Sequence, residues 1–175
     1  MLRRYKGTVP TVDATAFVDE SAQVIGDVHI GAESSVWMNV VIRGDVHHIR
    51  IGRRSNIQDL TMVHVMRDTH PTTIGDEVTV GHSAVLHGCT ISDRVLIGMG
   101  AMLLNGSSVG ADSIVAAGSL VTEGTRIPPR SLAMGRPATV RRPLTDDEVA
   151  SIRCYADNYV AYRLDYLAEA AAPAR

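Results

Sequence analysis

Aromatic residues make up only 4% of the sequence, with a single Trp and a single Phe. So few rings suit a narrow interior filled by Val, Ile and Leu. There are two cysteines, Cys89 and Cys154, and no CxxC pair, which excludes a disulfide framework. Both thiols are expected to be packed or free, and a cytoplasmic location follows as the default. No basic run appears and the formal net charge is −2, so nothing argues for nucleic acid. No apolar stretch is long enough for a membrane span, and the basic start Met1-Leu2-Arg3-Arg4 lacks the apolar core of a signal peptide. What remains is 175 residues with 45% hydrophobic content, enough for one domain with a real core.

That hydrophobic content is periodic. Apolar residues recur with a spacing near six from Val12 to Val121, and many precede glycine, as in Ile30-Gly31, Ile74-Gly75 and Ile97-Gly98. The period is wrong for a helix, and β-branched residues dominate. Hexapeptide periods mark a parallel β-helix, an all-β solenoid in which each repeat is a short strand and a turn. Three repeats make one triangular coil. The coils group as 12/18/24, 30/36/42, 51/57/63, 74/80/86, 91/97/103 and 109/115/121. Two steps are long, Ile42 to Ile51 and Val63 to Ile74, and Leu86 to Ile91 is short. Stacked coils lie roughly 4.8 Å apart, so residues of equal phase in successive coils form ladders.

The ladders decide where the histidines fall. His64 follows Val63 and His87 follows Leu86, which makes them neighbouring rungs on the third face. His82 lies two residues after Val80, on the second face and a different edge of the prism. A metal shared by all three would need His82 from another chain, and the expected closure is a homotrimer with sites at its interfaces. Three neutral imidazoles with an open fourth position is the donor set of a catalytic zinc ion. Imidazole also accepts Fe2+ or Co2+. Arg43, one residue after Ile42, falls on the same ladder one coil earlier, with Asp45 beside it. Gln58 and Asp59 follow the second-face anchor Ile57, and Asp59 shares the phase of His82. The edge carrying Gln58, Asp59 and His82 would face Arg43, His64 and His87 of a neighbour, with Arg43 pairing to Asp59 across the interface. His47 and His48 fall in the first long step and are read as solvated turn residues. His70 precedes Pro71 in the second and is read as structural. Residues 91–125 carry no clustered chemistry.

The β-helix is expected over 1–127. Residues 128–175, of the same domain, form a crossing segment and a helix packed on it. Thr145-Asp146-Asp147-Glu148 is a capping box. Apolar spacing from Val149 through Leu167 predicts a helix over about 146–169, with a frayed Ala-Ala-Ala-Pro-Ala-Arg end. Tyr155, Tyr159, Tyr162 and Tyr166 lie along it.

Arg43-Gly44-Asp45, Asn56-Ile57-Gln58-Asp59, His64, Gly81-His82, His87-Gly88-Cys89 and the exit Gly135-Arg136-Pro137-Ala138 together resemble the γ-class carbonic anhydrases over nearly the whole chain. The resemblance implies the left hand of the β-helix, which the ladders do not give. It implies a trimer with three interfacial metals, each held by two histidines of one subunit and one of its neighbour. The implied reaction is reversible hydration of CO2 to bicarbonate, in which the metal brings the pKa of a bound water to about 7. By resemblance Gln58 orients hydroxide or substrate. Arg43, Asp45 and Asp59 hold the interface and the hydrogen bonds around the ligands, and Tyr159 reaches the site from the helix. One departure stands out. The founding members carry proton-shuttling glutamates, but Val46 occupies the first such place, and residues 66–73 offer only Asp68 and His70. The expected activity is low for want of a shuttle. Two rival readings remain: acyl transfer or thioester hydrolysis, as in other hexapeptide proteins, and a non-enzymatic trimeric scaffold.

Overall fold

The computed structural model describes residues 1–171. Its body is a left-handed parallel β-helix of about seven turns, followed by one helix. The six-residue spacing becomes three ladders. On the first face Val12, Ile30, Ile51, Ile74, Ile91, Val109 and Ile127 lie in register. On the second face the rungs are Val18, Val36, Ile57, Val80, Ile97, Val115 and Ala133. On the third they are Val24, Ile42, Val63, Leu86, Leu103 and Val121. From Val24 onward these side chains are buried. Each buried Val, Ile or Leu contributes about 1.5–3 kcal/mol by leaving water. Ile127 and Ala133 carry the register beyond Val121. The chain then turns back as an antiparallel strand, Ala138–Pro143, against Ser131–Gly135. That outermost strand carries Arg141, Arg142 and Pro143. Charge and proline there discourage further strand pairing.

The two long steps are handled differently. The first lengthens a strand. Val41–Ile51 runs round a corner, and its pairing with Gln23–Ile30 slips between Gly26 and Val28 to absorb the extra residues. His47 and His48 are therefore not free turn residues. Both lie within this strand, half-buried, with ring centroids 4.7 Å apart. The second step is a self-closed loop. Met66 N–H donates to the His70 carbonyl at 2.9 Å, and His70 N–H returns the bond at 3.4 Å.

At one corner a single residue of each coil adopts the left-handed backbone conformation: Glu33, Arg54, Glu77, Arg94, Asp112 and Arg130, all with φ between 53° and 57°. Non-glycine residues avoid this region at a cost of about 1–2 kcal/mol each. The cost is offset in part because the corner amides stay bonded. Arg54, Glu77, Arg94, Asp112 and Arg130 each donate N–H to a carbonyl of the previous coil, at 2.8–3.2 Å. Their charges alternate along the prism. Arg54 meets Glu33 at 3.0 Å and Glu77 at 3.7 Å, and Arg94 meets Asp112 at 2.7 Å.

The helix spans Asp146–Ala171. Its capping box is formed: Thr145 N–H donates to Glu148 Oε2 at 2.9 Å, and Glu148 N–H donates to Thr145 Oγ1 at 3.2 Å. Ile152, Ala156 and Arg163 are its buried stripe. It lies along the second face, where Tyr159 and Tyr166 pack edge-on to Trp37, ring centroids 5.3 and 5.0 Å away. Tyr155 and Tyr162 are exposed. The fraying expected of the chain end falls largely on residues 172–175, outside the described residues. Among the described residues no helix is long and apolar enough to cross a membrane.

Candidate metal centre

Three stacked strands, Val41–Ile51, Met62–His64 and Val85–His87, bring four of the expected site residues to one edge. Ile42, Val63 and Leu86 point inward and are fully buried, so the next residue on each strand points out. His64 and His87 are register partners. His64 Nδ1 lies 3.1 Å from His87 Nε2. On its far side His64 Nε2 lies 3.0 Å from Asp45 Oδ1, and the other oxygen of Asp45 accepts from Arg43 Nη1.

The outer partners assign the tautomers, since hydrogens follow from the network. Asp45 is an anion that only accepts. Burial raises its pKa, but hydrogen bonds from His64 and Arg43 outweigh that and hold it below the ordinary value. His64 therefore carries its proton on Nε2. Burial, working against the pull of Asp45, keeps the His64 imidazole below its usual pKa and so favours the neutral ring. On the other ring, His87 Nδ1 faces the amide oxygen of Asn105 at 2.7 Å. That oxygen also only accepts, so His87 carries its proton on Nδ1. When both rings are neutral, the two inward nitrogens, His64 Nδ1 and His87 Nε2, confront each other with lone pairs. Such a pair repels unless a cation sits against both. Two imidazole nitrogens on one tetrahedral zinc, each about 2.05 Å from it, would stand roughly 3.3 Å apart. The observed 3.1 Å is close to that. The pair fits a divalent metal.

His82 lies two residues past the second-face anchor Val80 and does not join this pair within the chain. Among the described residues no three His, Cys, Asp or Glu side chains converge as a metal cage. His82 instead pairs with Asp59, Nδ1 to Oδ2 at 2.8 Å, which leaves Nε2 free. Gln58 is 5% exposed and donates Nε2 to Asn56 Oδ1 at 3.0 Å, so its Oε1 is uncommitted. Asn56 in turn donates to Thr79 Oγ1 at 2.9 Å. Tyr159 is half-buried on the helix, and burial, with the Asp59 charge, raises its pKa. One edge thus holds Arg43, Asp45, His64 and His87. The second face and the helix over it hold Gln58, Asp59, His82 and Tyr159. Beside Asp45 a cavity of about 430 Å3 opens, lined by Lys6, Asp27, His47, His48 and Asp68 among others.

The expectation that the later coils carry no chemistry is corrected here. Asn105 reaches His87, and Asn105 Nδ2 donates to Glu123 Oε1 at 2.9 Å. The sequence signal was faint but present: Asn105 and Glu123 each sit two residues past a third-face anchor, Leu103 and Val121, at the corner His87 occupies.

No protein-family model matches the chain. It is 52% identical over 169 residues to mitochondrial gamma carbonic anhydrase 1 of Arabidopsis thaliana, covering 94% of this chain and 62% of that protein. The chain thus spans about three fifths of the plant relative's length. It is 44% identical over 160 residues to a carbonic anhydrase of Geobacillus kaustophilus, covering 91% of this chain and 87% of that one. The chain belongs to the γ-class carbonic anhydrase family. Among solved structures, a hexapeptide transferase family protein from Anaplasma phagocytophilum superposes with a TM-score of 0.91 at 41% identity, covering 94% of this chain and 97% of that one. The fold is therefore shared between γ-class carbonic anhydrases and a protein described as a transferase, and the site has to separate the two.

Proposed function

We propose that the protein catalyses metal-dependent reversible hydration of CO2 to bicarbonate, at sites between the subunits of a homotrimer. The observation that carries this is the pair of facing ring nitrogens, His64 Nδ1 and His87 Nε2, 3.1 Å apart with both outer nitrogens committed to acceptors. An acyl transferase working through a histidine base has no use for two imidazoles held nose to nose with both outer nitrogens tied to acceptors. The third ligand is His82 of a neighbouring subunit, because the pair lacks a third ligand among the described residues of its own chain and His82 presents a free Nε2. Zinc is the metal we assign, on three imidazole donors with an open position, while Fe2+ and Co2+ suit the same donors. When bound, such an ion supplies the acidity that makes hydroxide available from water near neutral pH.

The chain's own groups do the rest. Gln58 Oε1, with its amide nitrogen tied to Asn56, would accept a hydrogen bond from the attacking water or hydroxide and so aim its oxygen. Tyr159 borders the site from the helix. Arg43, Asp45 and Asp59 hold the histidine rings and the subunit contact. Asp45 borders the cavity lined by His47, His48 and Asp68, which gives an exiting proton a polar path to solvent in place of a shuttling glutamate. The two free cysteines fit a reducing compartment, and on that ground we place the protein in the cytoplasm.

The test is stopped-flow CO2 hydration on protein of known metal content, across a range of buffer concentrations. Hydration that rises with buffer is the expected result. Full metal sites with no hydration at any buffer concentration would remove the reading and leave thioester hydrolysis or transfer in its place.

A further inference from the structure

The hydrogen bonds around His87 assign a role to two residues of the later coils. We infer that Asn105, held by Glu123, is a positioning residue that fixes the tautomer of His87 and thereby makes its Nε2 a ligand; the consequence for the metal rests on the function proposed above, while the tautomer itself does not.

The argument runs outward from the ring. An asparagine can present either its oxygen or its NH2 group to a neighbour. If it presented NH2 to His87 Nδ1, the proton of His87 would move to Nε2 and the inward lone pair would be lost. Glu123 decides between the two. Its carboxylate accepts from Asn105 Nδ2 at 2.9 Å, which turns the amide oxygen toward His87 Nδ1 at 2.7 Å. A carboxylate has no proton to give near neutral pH, so the reverse orientation would set oxygen against oxygen. The order Glu123, Asn105, His87 is therefore directional.

The backbone is also shaped around this amide. Gly88 follows His87 directly, with φ +61°, and a Cβ built on it would lie 2.5 Å from Asn105 Oδ1 and 2.8 Å from His70 Cβ. No side chain fits at 88 while the oxygen stays in place. The self-closed loop 66–70 covers the other side, where Met66, Thr69 and His70 line a cavity together with Asn105 and Glu123. Partners that orient the far nitrogen of a ligating histidine are worth about tenfold to a hundredfold in metal affinity.

The experiment uses the full chain in two forms, metal-loaded and chelator-treated. In the chelated protein, long-range 15N–1H spectra above about pH 8, where imidazole is neutral, report which nitrogen of each ring is protonated. The wild-type His87 ring should show Nδ1–H alone. Glu123→Gln should give a mixture of tautomers, because a glutamine can donate to Asn105 as well as accept. Asn105→Leu should do the same, and both should weaken zinc or cobalt affinity, measured against a competing chelator, with Asn105→Leu losing about tenfold to a hundredfold. The exchanged pair Asn105→Asp with Glu123→Gln keeps an acceptor facing Nδ1 and a donor behind it, and should recover the Nδ1–H tautomer and most of the affinity. Glu123 is exposed, so its variant is safe for folding even if Asn105→Leu is not. A pure Nδ1–H ring and unchanged affinity in Glu123→Gln and Asn105→Leu would overturn the inference. A wild-type protein that shows the Nδ1–H ring but takes up no metal would instead overturn the proposed function and leave the positioning of His87 intact.

Discussion

Gly88 and Cys89 follow His87 in the chain and face opposite ways, and each makes a test at the level of single atoms. Gly88 has a left-handed backbone and no room for a methyl group. Gly118 has nearly the same backbone, φ +67°, but nothing within 4 Å of a built Cβ. Both Gly→Ala changes incur the left-handed penalty of about 1–2 kcal/mol. Only Gly88→Ala must also push Asn105 or His70 aside. We expect Gly88→Ala to lower the melting temperature more than Gly118→Ala, and to be the one of the two that weakens metal binding. Equal effects would mean that Asn105 Oδ1 is not held against Gly88. Cys89 points into the prism, and burial pushes its thiol up to about 12. It should resist alkylation at neutral pH, where Cys154 is exposed and accessible. Counting modified thiols by mass should give one per native chain and two once the chain is unfolded.

At the scale of elements, the helix start offers a pH test. Glu148 accepts from Arg142 at 2.7 Å to each of its oxygens and from the Thr145 amide. These bonds, Arg142 first, lower its pKa from 4.5 to about 2. The unfolded chain therefore binds a proton at this residue in a range where the folded chain does not. Stability from this cap is complete above about pH 4.5 and is lost as pH falls toward 2. Glu148→Gln should flatten the pH dependence of helix melting in that window and leave it unaltered above it. If the wild-type and variant curves run parallel between pH 4.5 and 2, the cap is not titrating as described.

Elements also show what the sequence made legible. The coil triplets, the rung shared by His64 and His87, the separate edge of His82 and the capping box could all be read directly, because a six-residue period converts position into direction with no further information. The two long steps could not be read that way. Phase is lost wherever extra residues enter, and one step was absorbed by a bent strand while the other closed on itself. His47 and His48 were misplaced for that reason. Asn105 and Glu123 were missed for another. They sit two residues past their anchors, whereas the histidine they serve sits one past. The link closes only because an amide side chain reaches from one coil to the next, which no periodicity encodes. Arg43 shows a third limit. Within the chain its guanidinium is taken by Asp45, so a pairing with Asp59 of another subunit would add to that bond or replace it.

For the whole molecule the decisive question is whether each metal site is assembled from two chains. If it is, His64→Ala chains and His82→Ala chains each lack a ligand at every site of their own trimers. Mixed trimers behave differently. Each contains one junction where an intact His64 faces an intact His82, so one site in each mixed trimer should bind metal. Metal analysis of trimers purified through two different affinity tags would show this recovery. Verified mixed trimers that stay empty would place all the ligands of a site in one chain and end the interfacial model.

The charged corner has a consequence for how such a chain can change over time. Glu33, Arg54, Glu77, Arg94, Asp112 and Arg130 alternate in sign from coil to coil. Delete the coil that holds Glu77, and Arg54 lands on Arg94. Duplicate it, and acid lands on acid. Within the run, only an even number of coils can be gained or lost without setting like charges one above the other. The prism could grow or shrink in principle by any number of its repeats; this corner gives the count a parity.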